Sequence, residues 1–221
     1  MEERSEGDKG SVRKPVGLLI HEKDPFDGFY HTVLPKECYS FKTSRADVFR
    51  ALIDHHKPRT IVEVGSYHGA SAIHMAGICK ALGLTTEIIC IDTWQGTVDM
   101  LEDDIKKKGL VYMQGHPRLF RQFLANICYA GMQEFITPFP VASSVGLRYL
   151  ARKGVKADLI YIDGAHEYEE AKLDIALARQ ILKEGGAMLI DDYDLEGVKQ
   201  AVDEQTPTSM ARHGNQVVLV W

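Results

Sequence analysis

At 221 residues and 45% apolar content, the chain can bury one complete globular core and is short for two independent ones. A formal charge of −5 excludes the basic footprint of a nucleic-acid or anionic-membrane partner. No apolar run reaches the length of a membrane span, and the charged start MEERSEGDKGSVRKP lacks a signal peptide's apolar middle, so a cytoplasmic location is expected.

Residues 1–15 read as a disordered polar tail, and 16–221 as a single domain. In TSRADVFRALIDHHK, Ser44 is a candidate N-cap with Asp47 three residues on, and Val48, Phe49, Leu52 and Ile53 share one helical face. Strand-like runs follow at Thr60–Val64, Glu87–Ile91, Phe135–Val141, Asp158–Ile162 and Ala187–Ile190, with helical segments between most of them. In 169–183, Leu173, Leu177 and Ile181 recur at helical spacing, and Gly185-Gly186 are expected to stop that helix. Alternating buried strands and helices predict an α/β, doubly wound, mainly parallel sheet covered on both faces. DLEGVKQAVDEQ then reads as a helix and QVVLVW as a last, antiparallel strand at or near the edge. The charged, glycine-bearing stretch after Trp94 interrupts the rhythm and reads as a mobile lid over about 95–123 rather than core. Cys38, Cys79, Cys90 and Cys128 form no C-x-x-C pair and are expected to be reduced thiols.

Ligands of such sheets bind at the carboxyl ends of the strands, where strand order reverses. TIVEVGSYHGASAIHMA is a strand, a glycine turn and a helix whose free amides favour an anionic group. A dinucleotide fingerprint would need glycine where Tyr67 and Ala70 stand, so a carboxylate fits better than a pyrophosphate. Glu63, before the turn, could accept from an ammonium group or be a solvated strand end. Asp92 closes the second strand, 27 residues after Gly65, where an acid takes ribose hydroxyls. Trp94 could border adenine or merely anchor the lid. Ser143 and Ser144 could bond a ring edge, and a serine there is equally a helix cap.

Two apolar runs end in acid: Asp163 after LIYI, and Asp191 with Asp192 after AMLI. Like charges held close destabilise one another unless a cation offsets them. Three carboxylates suit a hard divalent ion such as Mg2+, against the alternative of three solvated caps. His166, three residues past Asp163, could as a neutral imidazole take a proton from a substrate hydroxyl, or be merely exposed.

Together, IVEVGSYHGASAIHMA, Asp92 and LIYIDGAHEYEEAKLDIALARQILKEGGAMLIDDY resemble the class I S-adenosylmethionine (SAM)-dependent methyltransferases. They are most similar to the cation-dependent, catechol O-methyltransferase-like group, in the branch with macrolide- and aminocoumarin-sugar O-methyltransferases and cephalosporin-hydroxylase-like proteins. The resemblance spans about residues 45–205 and implies a Rossmann-like, seven-stranded sheet. It implies that Glu63, Gly65, Ser66, Gly69 and Ser71 hold the methionine end of SAM and Asp92 the ribose. Ser143 would lie by the adenine, with Tyr67, Thr93, Trp94 and Asp163 completing the cofactor site. It gives the metal, Mg2+ or a similar ion, to Asp163, Asp191 and Asp192, and catalysis to Asp163 and His166. The implied acceptor is a small molecule, a sugar or aromatic hydroxyl, and a homo-oligomer is compatible with it. Ala165 stands where catechol-type enzymes carry an aromatic over adenine, and the 95–123 stretch does not match their substrate region. Other readings are a catalytically silent SAM-binding module, an NAD-dependent oxidoreductase and a metal hydrolase.

Overall fold

A computed structural model of the chain describes residues 14–29, 43–110 and 112–221. Most of the expected tail, Cys38 and the side chain of the expected cap Ser44 lie outside the described residues. In chain order the elements are α1 (Gly17–Ile20), α2 (Thr43–His56), β1 (Thr60–Val64), α3 (Ala70–Ala81), β2 (Glu87–Asp92), α4 (Val98–Glu102), α5 (Asp104–Gly109), β3 (Tyr112–Met113) and β4 (His116–Pro117). There follow α6 (Leu119–Ala130), β5 (Ile136–Pro140), α7 (Ser143–Arg152), β6 (Ala157–Ile162), α8 (Tyr168–Ile181), β7 (Leu182–Ile190), α9 (Glu196–Asp203), β8 (Ser209–His213) and β9 (Gln216–Val220). Among the described residues, no helix is long and apolar enough to cross a membrane.

The strands form one seven-stranded sheet in the order β5-β2-β1-β6-β7-β9-β8, parallel from β5 to β7 and antiparallel at β9 and β8. β3 and β4 make a separate small hairpin. Register assigns the two faces. Val62, Val64, Ile89, Ile91, Ile160 and Ile162 share one, packed by Leu147, Ile175, Ile181 and Val202 from α7, α8 and α9. Ile61, Ile88, Cys90, Leu159 and Tyr161 share the other, packed by Phe49, Met75 and Phe123 from α2, α3 and α6. Each such aliphatic side chain contributes about 1.5–3 kcal/mol by leaving water, so a strand buried on both faces is apolar throughout.

Two expectations are corrected. The glycines do not stop α8: it ends at Ile181, Leu182 is already extended, and both glycines lie inside β7. There a Cβ on Gly186 would lie 2.8 Å from the Asp158 carbonyl oxygen, so the strand pairing itself demands the missing side chain. The last strand is antiparallel and next to the edge, as expected; the edge itself is β8, whose SMARH sequence is wholly exposed and carries no apolar alternation. The 95–123 stretch is not all excursion. Leu110, Leu119 and Phe123 are core, because α6 sets Leu119, Phe123 and Ile127 four residues apart on one buried face.

Candidate active site

Backbone pairing continues one residue past the strands at the point where their order reverses. The Gly65 amide donates to Ile91 O (3.0 Å), Asp163 to Val64 O (2.8 Å) and Asp191 to Ile162 O (2.9 Å). The loops after β1, β2, β6 and β7 therefore begin side by side, and they border a cavity of about 930 Å3. Gly65, Ser66, Tyr67, Ser71, Asp92, Thr93, Ser143, Asp163, His166 and Asp192 line it. Glu63, Gly69, Trp94 and Asp191 do not; they stand behind the surface and hold it.

The turn after β1 is fixed from three sides. Asp92 Oδ2 accepts the amides of Ser66 (2.9 Å) and Tyr67 (2.8 Å), and Oδ1 that of Trp94 (2.7 Å). The Thr93 amide adds a fourth bond. Burial raises the Asp92 pKa, and the amides oppose that rise. Glu63 is fully buried and accepts the hydroxyls of Ser66 and Ser71. It faces the serines rather than an incoming ammonium group, and burial raises its pKa. Trp94 is buried against Phe120 and Phe123 and donates Nε1–H to Tyr67 O (2.8 Å), which is the anchoring role. From α6, Asn126, which the sequence reading passed over, donates to His68 O (2.9 Å).

The acids at the ends of β6 and β7 are joined by bridging donors: the Tyr161 hydroxyl meets Asp163 and Asp191, and the Asn215 amide meets Asp191 and Asp192. Donor atoms of Asp163, His166 and Asp192 lie within 4.8 Å of one another. Asp191 is 2% exposed and turned into the sheet, where it accepts from Tyr161 (2.6 Å), Asn215 (3.0 Å), Gln216 (3.2 Å) and the Asp192 amide (2.8 Å). Of the three acids expected to share a metal, Asp163 and Asp192 thus lie with His166, and Asp191 lies beside them in its own hydrogen bonds. The His166 Nε2 lies 3.2 Å from Asp192 Oδ2, and the hydrogen bond and charge of Asp192, with Asp163 and Asp99 beyond, raise the imidazole pKa despite burial. The Tyr161 hydroxyl also sits 2.8 Å from Asp163 Oδ2. It has one proton for two carboxylates, and Asp191 takes its further bonds from Asn215, Gln216 and the Asp192 amide. Two carboxylates and an imidazole form a donor set that suits a divalent ion.

At the other end of the cavity, α7 begins at Ser143 with Ala142 at the cap position, and no side chain caps it. The Ser143 hydroxyl instead bonds Asp174 of α8, a buried cavity residue whose pKa burial pushes up to about 6. In the sequence Asp174 lies within a helical repeat like any solvated acid. Asp99 of α4 likewise lay unmarked in a charged stretch, yet its Oδ2 comes 4.0 Å from His166 Nδ1.

A methyltransferase-domain family model matches residues 62–193 of the chain. The solved structure of the O-methyltransferase NovP is similar, with a TM-score of 0.64 and 19% identity over 95% of this chain and 96% of that one. So is CalS11, a TDP-rhamnose 3'-O-methyltransferase of calicheamicin biosynthesis, at 0.56 and 19% over 81% and 80%. A third is the O-methyltransferase TomG from Streptomyces achromogenes, solved with SAM, at 0.57 and 13% over 92% of each chain. At these identities the likeness is one of fold. No match was found among curated protein sequences.

Proposed function

The chain belongs to the methyltransferase-domain family, and from that premise we propose that it moves the methyl group of SAM onto a hydroxyl oxygen of a small molecule, aided by a divalent cation such as Mg2+. One observation carries this reading: the β1–α3 glycine turn and the Asp163–His166–Asp192 group face the same cavity. That NovP, CalS11 and TomG are O-methyltransferases supports oxygen as the methylated atom.

When bound, SAM supplies a methyl group on a positively charged sulfur, which leaves by in-line displacement. A divalent ion held by Asp163 and Asp192 would supply Lewis acidity that makes a nearby hydroxyl easier to deprotonate. The remaining work is that of the chain. The N-terminus of α3 presents unpaired amides and a partial positive charge toward the donor's carboxylate. Asp92 and Glu63 keep the turn rigid, so alignment costs little on binding. His166, whose Nε2 lies 3.2 Å from Asp192 Oδ2, would as a neutral imidazole accept the acceptor's hydroxyl proton. Met100 and Leu101 of α4 and Leu119 of α6 form an apolar side that limits water at the reacting centre.

The test is an assay of S-adenosylhomocysteine (SAH) release from SAM with a panel of phenols and sugars, before and after EDTA treatment and Mg2+ add-back. Release that needs an acceptor, disappears on chelation and returns with Mg2+ is the expected result. Turnover that persists under rigorous chelation ends the metal role. A protein that fails to bind SAM or SAH by calorimetry ends the whole reading.

A further inference from the structure

We infer that the acceptor is an uncharged or cationic molecule with an apolar body, selected by Asp99 together with Val98 and Leu101 on α4. The inference rests on the methyl-transfer reading above and deepens it.

The first support is charge. Asp92, Asp163, Asp174 and Asp192 share the cavity with Asp99, Glu167 and Glu170, and among the described residues no lysine or arginine lines it. The basic side chains there are His68 and His166, and burial takes His68 down to about 4, so it is neutral near pH 7. A divalent ion and a sulfonium together bring three positive charges, fewer than the seven carboxyl groups just named. The cavity stays negative when loaded. A carboxylate or phosphate on the acceptor enters against that potential with no lysine or arginine among the lining residues to meet it, whereas an ammonium group or neutral ring does not. Nucleotide-linked and CoA-linked acceptors are therefore disfavoured.

The second support is independent of charge. Val98 and Leu101 are 56% and 44% exposed although aliphatic, and both line the cavity beside Met100 and Leu119. Apolar surface at the rim of a cavity is what a ligand with an apolar body covers. Asp99 lies next to Val98 on this rim. Its Oδ1 accepts the Thr97 hydroxyl, and its Oδ2 reaches toward His166 Nδ1, while Asp192 holds Nε2. This places a fixed acceptor-only group beside the reacting centre, suited to an acceptor's ammonium or second hydroxyl.

The experiment uses the full chain with SAM and Mg2+ and three phenols of matched size, bearing an ammonium, a methyl or a carboxylate group opposite the hydroxyl. SAH release gives kcat/KM, and calorimetry on the SAH- and Mg2+-loaded protein gives affinity for each phenol, so charge preference is read even where turnover is slow. The ammonium and methyl phenols are expected to exceed the carboxylate by about tenfold. Asp99→Asn is expected to shrink the ammonium-to-carboxylate ratio about threefold. Leu101→Ser is expected to raise KM for the methyl phenol. A carboxylate phenol that equals or beats the others, an unchanged ratio in Asp99→Asn, or no affinity for any of the three overturns the inference. Wild-type protein that does not bind SAH overturns methyl transfer instead, so the two failures are distinct.

Discussion

A Cβ placed on Gly65 would lie 2.0 Å from the carbonyl oxygen of Asp163, closer than any side chain is tolerated. The two residues open the loops after β1 and β6, so the strands can be neighbours only if position 65 carries no side chain. Its φ of +83° adds a second demand for glycine. Gly65→Ala is expected to destabilise the fold by about 2–5 kcal/mol, combining backbone strain and a clash with main chain that cannot rotate away. Urea denaturation measures the loss, and calorimetry with SAH should show the donor site weakened in whatever fraction still folds.

Asp192 and Asp191 adjoin but face different surroundings, and the variants should separate them. Asp192→Ala removes a carboxylate of the Asp163–His166 group while leaving the turn after β1 intact. Methyl transfer is expected to fall by about 100-fold or more, with SAH affinity changed by less than about threefold. Loss of SAH binding in parallel with turnover would contradict that division of labour.

Asp191→Ala should act on stability first. It takes the carboxylate acceptor from the buried Gln216 amide and leaves Tyr161 and Asn215 only their second acceptors, Asp163 and Asp192. The expected cost is about 2–4 kcal/mol, with Asp191→Asn intermediate, read from the urea midpoint. A variant as stable as the parent that nonetheless loses Mg2+-dependent activity would restore Asp191 to the role of ligand.

Asp174 supplies a pH signature. Its carboxyl titrates at about 6 in the fold against 3.8 for an ordinary aspartate, because it is buried. Between these values the native state holds a proton that the unfolded chain has released. Stability from this group is therefore present at low pH and lost as pH rises through about 6, by on the order of 3 kcal/mol. Urea denaturation at pH 4, 5, 6 and 7 should show wild type losing stability relative to Asp174→Asn across that window. Parallel curves for the two proteins would refute the assignment.

Much of this was legible in residue order. Thr60–Val64 and Glu87–Ile91 carry aliphatic residues at successive positions, the pattern of strands covered on both faces. The glycine turn, Asp92 and the paired strand-end acids appear in the order that puts them at the strand tips. β8 was invisible because an exposed edge strand needs no apolar pattern; its ladder with β9 holds it. Leu110 and Phe123 were hidden by the charged residues around them, since burial there depends on packing against Trp94 and the sheet.

The sequence by itself determined the sheet, the position of its binding end and the supply of acids there, because periodic burial and strand ends are local properties. Which way those acids point was decided by tertiary structure. Asp191 turns inward because Gln216 of β9 and the adjoining Asn215, together with Tyr161 of β6, offer it donors, and Asp192 at φ +54° swings toward His166. Asp99 and Asp174 join the cavity from helices far apart in sequence. A side chain beyond the end of a strand takes its direction from long-range partners, and no local spacing encodes those.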